Sequence, residues 1–319
     1  HSIVLECLVT IYFTSLNDDS SYTIKVILLE NIRKMTIYLS DIMLKNQLPI
    51  QHDSCRNISS NFKELYKKIN EITKIENSNN VTQVFYEEIG NYVYKNNNIY
   101  LLFDAGNPEP NFRPGHSHNS VFHYDLYLDN KPVLIDSGVY NYEDNKERNY
   151  FRSTQSHNTI QINSTELNQI WGSFRMLVDG CVKNVTVADK IISAEHNFYE
   201  KSEKCKINRK LKILENDLGI SIEDTVISKE ANLIINDHLH FSPNINILEK
   251  KESVDKIIYK LSFDRTFLIL KIYKINNEEV HESSSYYSEK FNKKQERLKL
   301  TIKCCLLYTS DAADDSLRV

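Results

Sequence analysis

Residues 115–138, GHSHNSVFHYDLYLDNKPVLIDSG, decide how this chain is read. Residues 121–128 and 133–135 are β-prone runs, and Asp129-Asn130 between them forms turns readily, so the stretch predicts an antiparallel hairpin. His116-Ser117-His118 stands at its front, after Pro114-Gly115, and Asp136 at its far end, before Ser137-Gly138. A third imidazole follows in His157-Asn158-Thr159. Two or three imidazoles with one carboxylate are the donors that zinc or a similar borderline cation accepts. An HxH pair is also common by chance, as exposed or internally satisfied histidines.

The hairpin sets a geometric condition. On straight strands Asp136 faces Tyr124, which is six residues from His118, or roughly 20 Å along the chain. A shared metal therefore requires residues 116–120 to leave the strand and curl back. Pro108, Pro110, Pro114 and Gly115 permit that.

Outward from the hairpin the texture stays β-like. Residues 92–94, 99–103, 159–162, 211–214 and 267–272 are further short strand-like runs, with Asn96-Asn97-Asn98 among the turn-formers between them. Together they predict a mostly antiparallel β domain of roughly 220 residues, a sandwich. Ahead of it the period changes. Ile32, Met35, Leu39, Ile42 and Met43 recur at helical spacing over residues 28–44, which Leu48-Pro49 ends. Phe62, Leu65, Tyr66, Ile69 and Ile72 share one face of a second helix over 62–72, with Ser59 and Ser60 as N-cap candidates. At 319 residues, two domains are expected.

The net charge of −4 leaves no footprint for nucleic acid or an anionic membrane surface. The apolar run over residues 3–13 is shorter than the ~20 residues of a membrane span. The six cysteines, Cys7, Cys55, Cys181, Cys205, Cys304 and Cys305, have no ligand-like spacing. The chain starts at His1 rather than Met, so a missing export leader is uninformative. Residues 306–319 break the Lys/Asn/Ile-rich texture and read as a non-native tail.

Several blocks in order resemble the C-terminal domain of heparinase II/III-like polysaccharide lyases. They are Leu101-Leu102-Phe103-Asp104-Ala105-Gly106, Pro114-Gly115-His116-Ser117-His118, residues 132–140, Tyr150-Phe151-Arg152-Ser153, His157-Asn158-Thr159 and Trp171-Gly172-Ser173-Phe174-Arg175. The resemblance implies an α+β chain: a short helical N-terminal remnant of an (α/α) toroid over 1–80, then a large antiparallel β-sandwich over 81–305. It implies zinc on His118, Asp136 and His157, and a substrate-facing, catalytic His116. It also implies an acidic, uronate-containing polysaccharide as partner and a periplasmic or secreted location. One departure stands out: relatives usually carry Asp two residues after the second histidine, where this chain has Ser120.

Lyases of this kind work by β-elimination, which needs a neutraliser for the uronate carboxylate, a base for C5 and an acid for the departing oxygen. In relatives the main tyrosine and the Asn or His neutraliser lie in the toroid, well over a hundred residues before the HxH pair. Only 115 residues precede His116, so both are expected upstream of this chain. Tyr150, Arg152 and Asn158 flank the ligand positions and are candidates for sugar contacts, with a structural role open for Tyr150 and Arg152. His116 could equally be a hydrogen-bonded scaffold residue. A cupin-type metal enzyme and a non-catalytic carbohydrate-binding or assembly module with a structural zinc are the alternatives. The cupin pattern wants a Glu shortly after the HxH pair, where residues 119–123 have none. His238 and His240 share a strand face but lack a third ligand nearby in sequence.

Overall fold

Three helices lead the chain: α1 (Ser2–Leu16), α2 (Tyr22–Ile42) and α3 (Phe62–Thr73). The computed structural model describes residues 1–17, 22–45, 47–56, 62–73, 82–228, 230, 232–306 and 316–318. The second helix starts earlier than its apolar stripe predicts, and the third matches its stripe closely; Ser59 and Ser60 fall outside the described residues. The apolar run near the N-terminus is α1, which buries Leu5 and Val9. No described helix is long and apolar enough to cross a membrane.

Five strands follow as one antiparallel sheet in chain order: β1 (Gln83–Tyr86), β2 (Asn91–Lys95), β3 (Ile99–Asp104), β4 (Tyr124–Leu128) and β5 (Lys131–Leu134). The central strand β3 is buried on both faces. Leu101 and Phe103 enter the main β core, while Tyr100 and Leu102 join the core beneath the helices. That double burial is why residues 99–103 read as a continuous apolar run instead of alternating. The helices and the sheet also share hydrogen bonds: Tyr100 Oη donates to the Ile42 carbonyl at 2.6 Å and Tyr86 Oη to Asp41 at 2.6 Å.

After α4 (Lys146–Arg152) come β6 (Ile160–Ile162) and the small hairpin β7 (Gln169–Trp171) with β8 (Arg175–Leu177). Then follow β9 (Val182–Ala188), β10 (Ile191–His196), β11 (Cys205–Ile213), β12 (Ile220–Ser228), β13 (Leu233–His240), β14 (Ile247–Glu252), β15 (Lys256–Phe263), β16 (Thr266–Tyr273), β17 (Glu279–Lys290), β18 (Lys293–Leu306) and β19 (Ser316–Arg318). They form a sheet of order β19-β12-β11-β10-β9, a sheet of order β17-β18-β13-β6, and the three-stranded β14-β15-β16. All named pairings are antiparallel, and the inward side chains of the sheets meet in one core. The molecule is thus α+β, with helices ahead of an antiparallel β-sandwich. Residues 316–318, in the stretch read as a tail, pair with the edge of β12.

One predicted strand is cut short. Residues 121–123 are not extended: Phe122 sits at φ +67°, and the His123 amide donates to the Ser120 carbonyl at 2.8 Å. This turn positions the site.

Candidate metal and catalytic site

The β4–β5 hairpin turns on Asp129-Asn130, with φ of 48° and 60°. Two successive left-handed residues are what a two-residue turn needs to match strand twist, and Asp and Asn tolerate them best after glycine. Leu126 pairs with Leu134. Asp136, two residues further, comes beside β4, and its amide donates to Asp125 Oδ1 at 2.9 Å. Gly138, at φ +73°, lets the chain pass against the Ser288 carbonyl, which a Cβ would meet at 2.3 Å. Its amide donates to Asp136 Oδ1 at 2.7 Å.

The turn at residues 120–123 carries the histidines back toward Asp136. Thr159 Oγ1 donates to the Val121 carbonyl at 2.6 Å, so the loop bearing His157 is tied to the same turn. Buried Arg209 of β11 donates to the carbonyls of Phe122 (3.0 Å) and Asn158 (2.9 Å), the residues flanking His123 and His157. Its guanidinium is neutralised by Asp224 and Asp237.

Among the described residues, the donor atoms of His123, Asp136 and His157 lie within 4.8 Å of one another, all buried. His157 Nδ1 is 2.9 Å and His123 Nε2 3.5 Å from Asp136 Oδ2. Ligands on one tetrahedral zinc stand roughly 3.3 Å apart, given bonds of ~2.0 Å, so these spacings suit the ion. Burial alone would lift the Asp136 carboxyl, but the neighbouring His157 and His123 hold it well below the usual carboxylate range. Burial lowers the pKa of His157 and pushes that of His118 down to about 3, the direction that favours the neutral rings a metal needs.

His118 stands beside this trio, its ring 5.4 Å from that of His157. Its Nε2 lies 2.9 Å from Asp53 Oδ1, while its Nδ1 is buried with no hydrogen-bond partner. His157 Nε2 is likewise buried and without a partner. A bare imidazole nitrogen on a buried ring is costly unless something meets it. His123 differs: its Nδ1 accepts the Asn158 amide at 3.0 Å, which places the proton on Nε2, toward Asp125 and Asp136.

His116 projects outward, its side chain 73% exposed, with Nδ1 2.9 Å from Asp53 Oδ2. That hydrogen bond raises its pKa. Phe174 and Tyr142 lie against the ring at 5.4 and 6.2 Å. Asp53 is 4% exposed and also receives both terminal nitrogens of fully buried Arg148, one of them at 2.8 Å. His52 links the same segment to the loop, accepting from the His118 amide at 3.3 Å and pairing with Asp104 at 3.5 Å.

The three predicted sugar contacts take different places. Arg152 is fully buried, and its nitrogens donate to the carbonyls of Ser117, Gly172, Ser173 and Arg175. Asn158 is fully buried too, spending its amide on the Tyr124 carbonyl and the His240 amide. As placed, neither offers a polar atom to a sugar; both hold loops together. Half-buried Tyr150 packs against Tyr286, and its hydroxyl accepts the Tyr286 amide at 3.3 Å. His238 and His240 are each engaged, with Thr301 and Gln161, and with Ser285 and the Gln155 carbonyl.

Sequence reasoning overlooked Asp53 and His123. Nothing local marks Asp53, which lies 63 residues from His116. His123 was within reach: it precedes Tyr124, the residue that the hairpin register sets opposite Asp136.

The heparinase II/III-like C-terminal family model matches residues 80–315. This chain belongs to that family of polysaccharide lyases. Among solved structures, the heparan sulfate lyase HepC from Pedobacter heparinus aligns with TM-score 0.73 at 13% identity, covering 99% of this chain and 51% of that one. A heparinase III gene product with methylated lysines aligns at 0.71 and 16%, covering 91% and 45%. A further heparinase III aligns at 0.67 and 16%, covering 98% and 52%. The chain thus spans about half the length of these structures. No curated protein sequence matches.

Proposed function

We propose that this chain is the metal-bearing half of a lyase that cleaves uronate-containing, acidic polysaccharide by β-elimination, in the periplasm or outside the cell. The observation that carries it is an exposed imidazole, His116, anchored from below by a buried carboxylate and set beside a buried His/Asp/His cluster. In the reaction the C5 proton leaves to a base, the electron pair of the broken C5–H bond becomes the C4=C5 double bond, and the C4–O bond breaks with its electron pair going to the oxygen, which takes a proton. The free Nε2 of His116 serves as one of these proton carriers. Exposed Phe174 lies against the His116 ring, and exposed Trp171 and Arg175 pair in the same β7–β8 hairpin; the three suit the apolar faces and the carboxylates of a sugar chain.

Zinc would be held by His118, Asp136 and His157. Asp53 meets His118 Nε2 and leaves its buried Nδ1 bare, the arrangement that orients a metal-binding histidine, and Asp136 Oδ2 lies 2.9 Å from His157 Nδ1, within ligand spacing. His123 is the poorer donor, because its second nitrogen already accepts an amide hydrogen. A bound zinc would supply positive charge that draws the HxH loop and the hairpin together.

The test has two arms. Heparan, alginate and hyaluronan are assayed for the ultraviolet absorbance of unsaturated uronate, with this chain alone and with a form that carries the toroid. The toroid-bearing form should be active on one of them and lose about 10²-fold or more with His116→Ala; this chain alone should give little signal. Strong activity from the chain alone, or full activity without His116, would overturn the proposal.

A further inference from the structure

We propose that Asp53 is a positioning residue that fixes His116 and His118 in opposite tautomers, leaving Nε2 bare on the exposed His116 ring and Nδ1 bare on the buried His118 ring. An ionised carboxylate has about four lone-pair directions and no hydrogen to give. All four are taken: Oδ1 meets His118 Nε2 and Arg148, and Oδ2 meets His116 Nδ1 and Arg148. Arg148, which always carries its charge, donates to both oxygens, the fork geometry that a carboxylate and not a carboxylic acid accepts. Every nitrogen facing it must therefore carry a hydrogen. In a neutral ring that leaves the opposite nitrogen bare.

The two histidines meet the carboxylate with different atoms, Nδ1 from His116 and Nε2 from His118. One residue thus produces two outcomes: an outward lone pair able to take a proton, and an inward lone pair able to take a cation. Arg148 keeps the carboxylate in register, its guanidinium bonded to the Ser173 carbonyl at 3.0 and 2.8 Å and lying against the rings of Tyr142 and Phe174. The Ser120 hydroxyl lies 3.3 Å from His52 Nδ1, and the carboxylate that meets His118 is that of Asp53. The catalytic consequence rests on the lyase reading; the tautomers themselves do not.

Long-range nitrogen–proton NMR on histidine-labelled, metal-free protein, at a pH high enough that the ring signals no longer titrate, reads the tautomers directly. Spectra of His116→Ala and His118→Ala give the assignments. Wild type should show Nδ1 protonated in His116 and Nε2 protonated in His118. Asp53→Asn should shift His116 toward the Nε2-protonated form that a free imidazole prefers. The same tautomer in both rings of the wild type would overturn the proposal, whether or not the variant folds, as would a folded Asp53→Asn with unchanged tautomers. Opposite tautomers in a protein whose toroid-bearing form makes no unsaturated uronate would leave Asp53 its role and sink the lyase reading alone.

Discussion

His118 and His123 make opposite offers to a cation. The first has a buried, bare Nδ1 and a carboxylate behind it; the second has one nitrogen occupied by an amide and the other pointed at two acids. Proximity alone favours His123, but a ring with an acceptor already in use would have to give up its only proton to bind metal. Zinc content measured after dialysis should therefore fall at least about tenfold in His118→Ala and His157→Ala. It should stay near wild type in His123→Gln; the reverse ranking would move the metal to the His123 side. A different histidine governs acid stability. His196 is buried among Phe122, Phe198 and Tyr199, neither ring nitrogen has a partner, and burial pushes its pKa down to about 3. The unfolded chain binds this proton below about 6.5, and the folded one not until about 3. Its stabilising effect is complete above pH 6.5 and is lost as pH falls from 6.5 toward 3, on the order of 3–5 kcal/mol at the acid end. Urea midpoints at pH 7 and pH 4 should differ clearly less in His196→Phe than in wild type. An equal pH dependence would mean that other groups dominate.

The elements were legible to different degrees, for physical reasons. The stripe over residues 62–72 located α3 because a one-sided helix must keep its apolar residues on one face. The hairpin was legible because Asp129-Asn130 admits few other turns. The break at residues 121–123 was not, since Val121 and Phe122 have β propensity and are pulled out of the strand by contacts distant in sequence. Arg209 is one of these: from β11 it reaches Phe122 and Asn158 while paired with Asp224 on β12 and Asp237 on β13. Removing it leaves two buried carboxylates without their cation and releases both site loops. Arg209→Met should cost about 3–5 kcal/mol by denaturant unfolding and lower metal content with it. A loss below about 1 kcal/mol would show that the loops are held by other contacts.

At the scale of the whole molecule, the family match at residues 80–315 and the functional unit do not coincide. Asp53, which receives His116, His118 and Arg148, lies before that boundary, as does His52. The helices before it also cover one face of β2 and β3, where Val93, Tyr100 and Leu102 pack with Leu5, Ile32, Leu39 and Ile69. A chain beginning at residue 81 would expose that face to water at roughly 25 cal/mol per Å² of apolar surface, and its Tyr86 and Tyr100 hydroxyls would lose their partners. It would also keep Arg148 buried with its guanidinium no longer neutralised by Asp53, a worse loss than that of a surface charge. The truncated protein should be recovered mainly as aggregate. Any soluble fraction should bind a hydrophobic dye, melt well below the full chain and hold little zinc. A monodisperse 81–319 protein with the melting temperature and metal content of the full chain would show that the β-sandwich carries its site without the helices, and that Asp53 is dispensable to it.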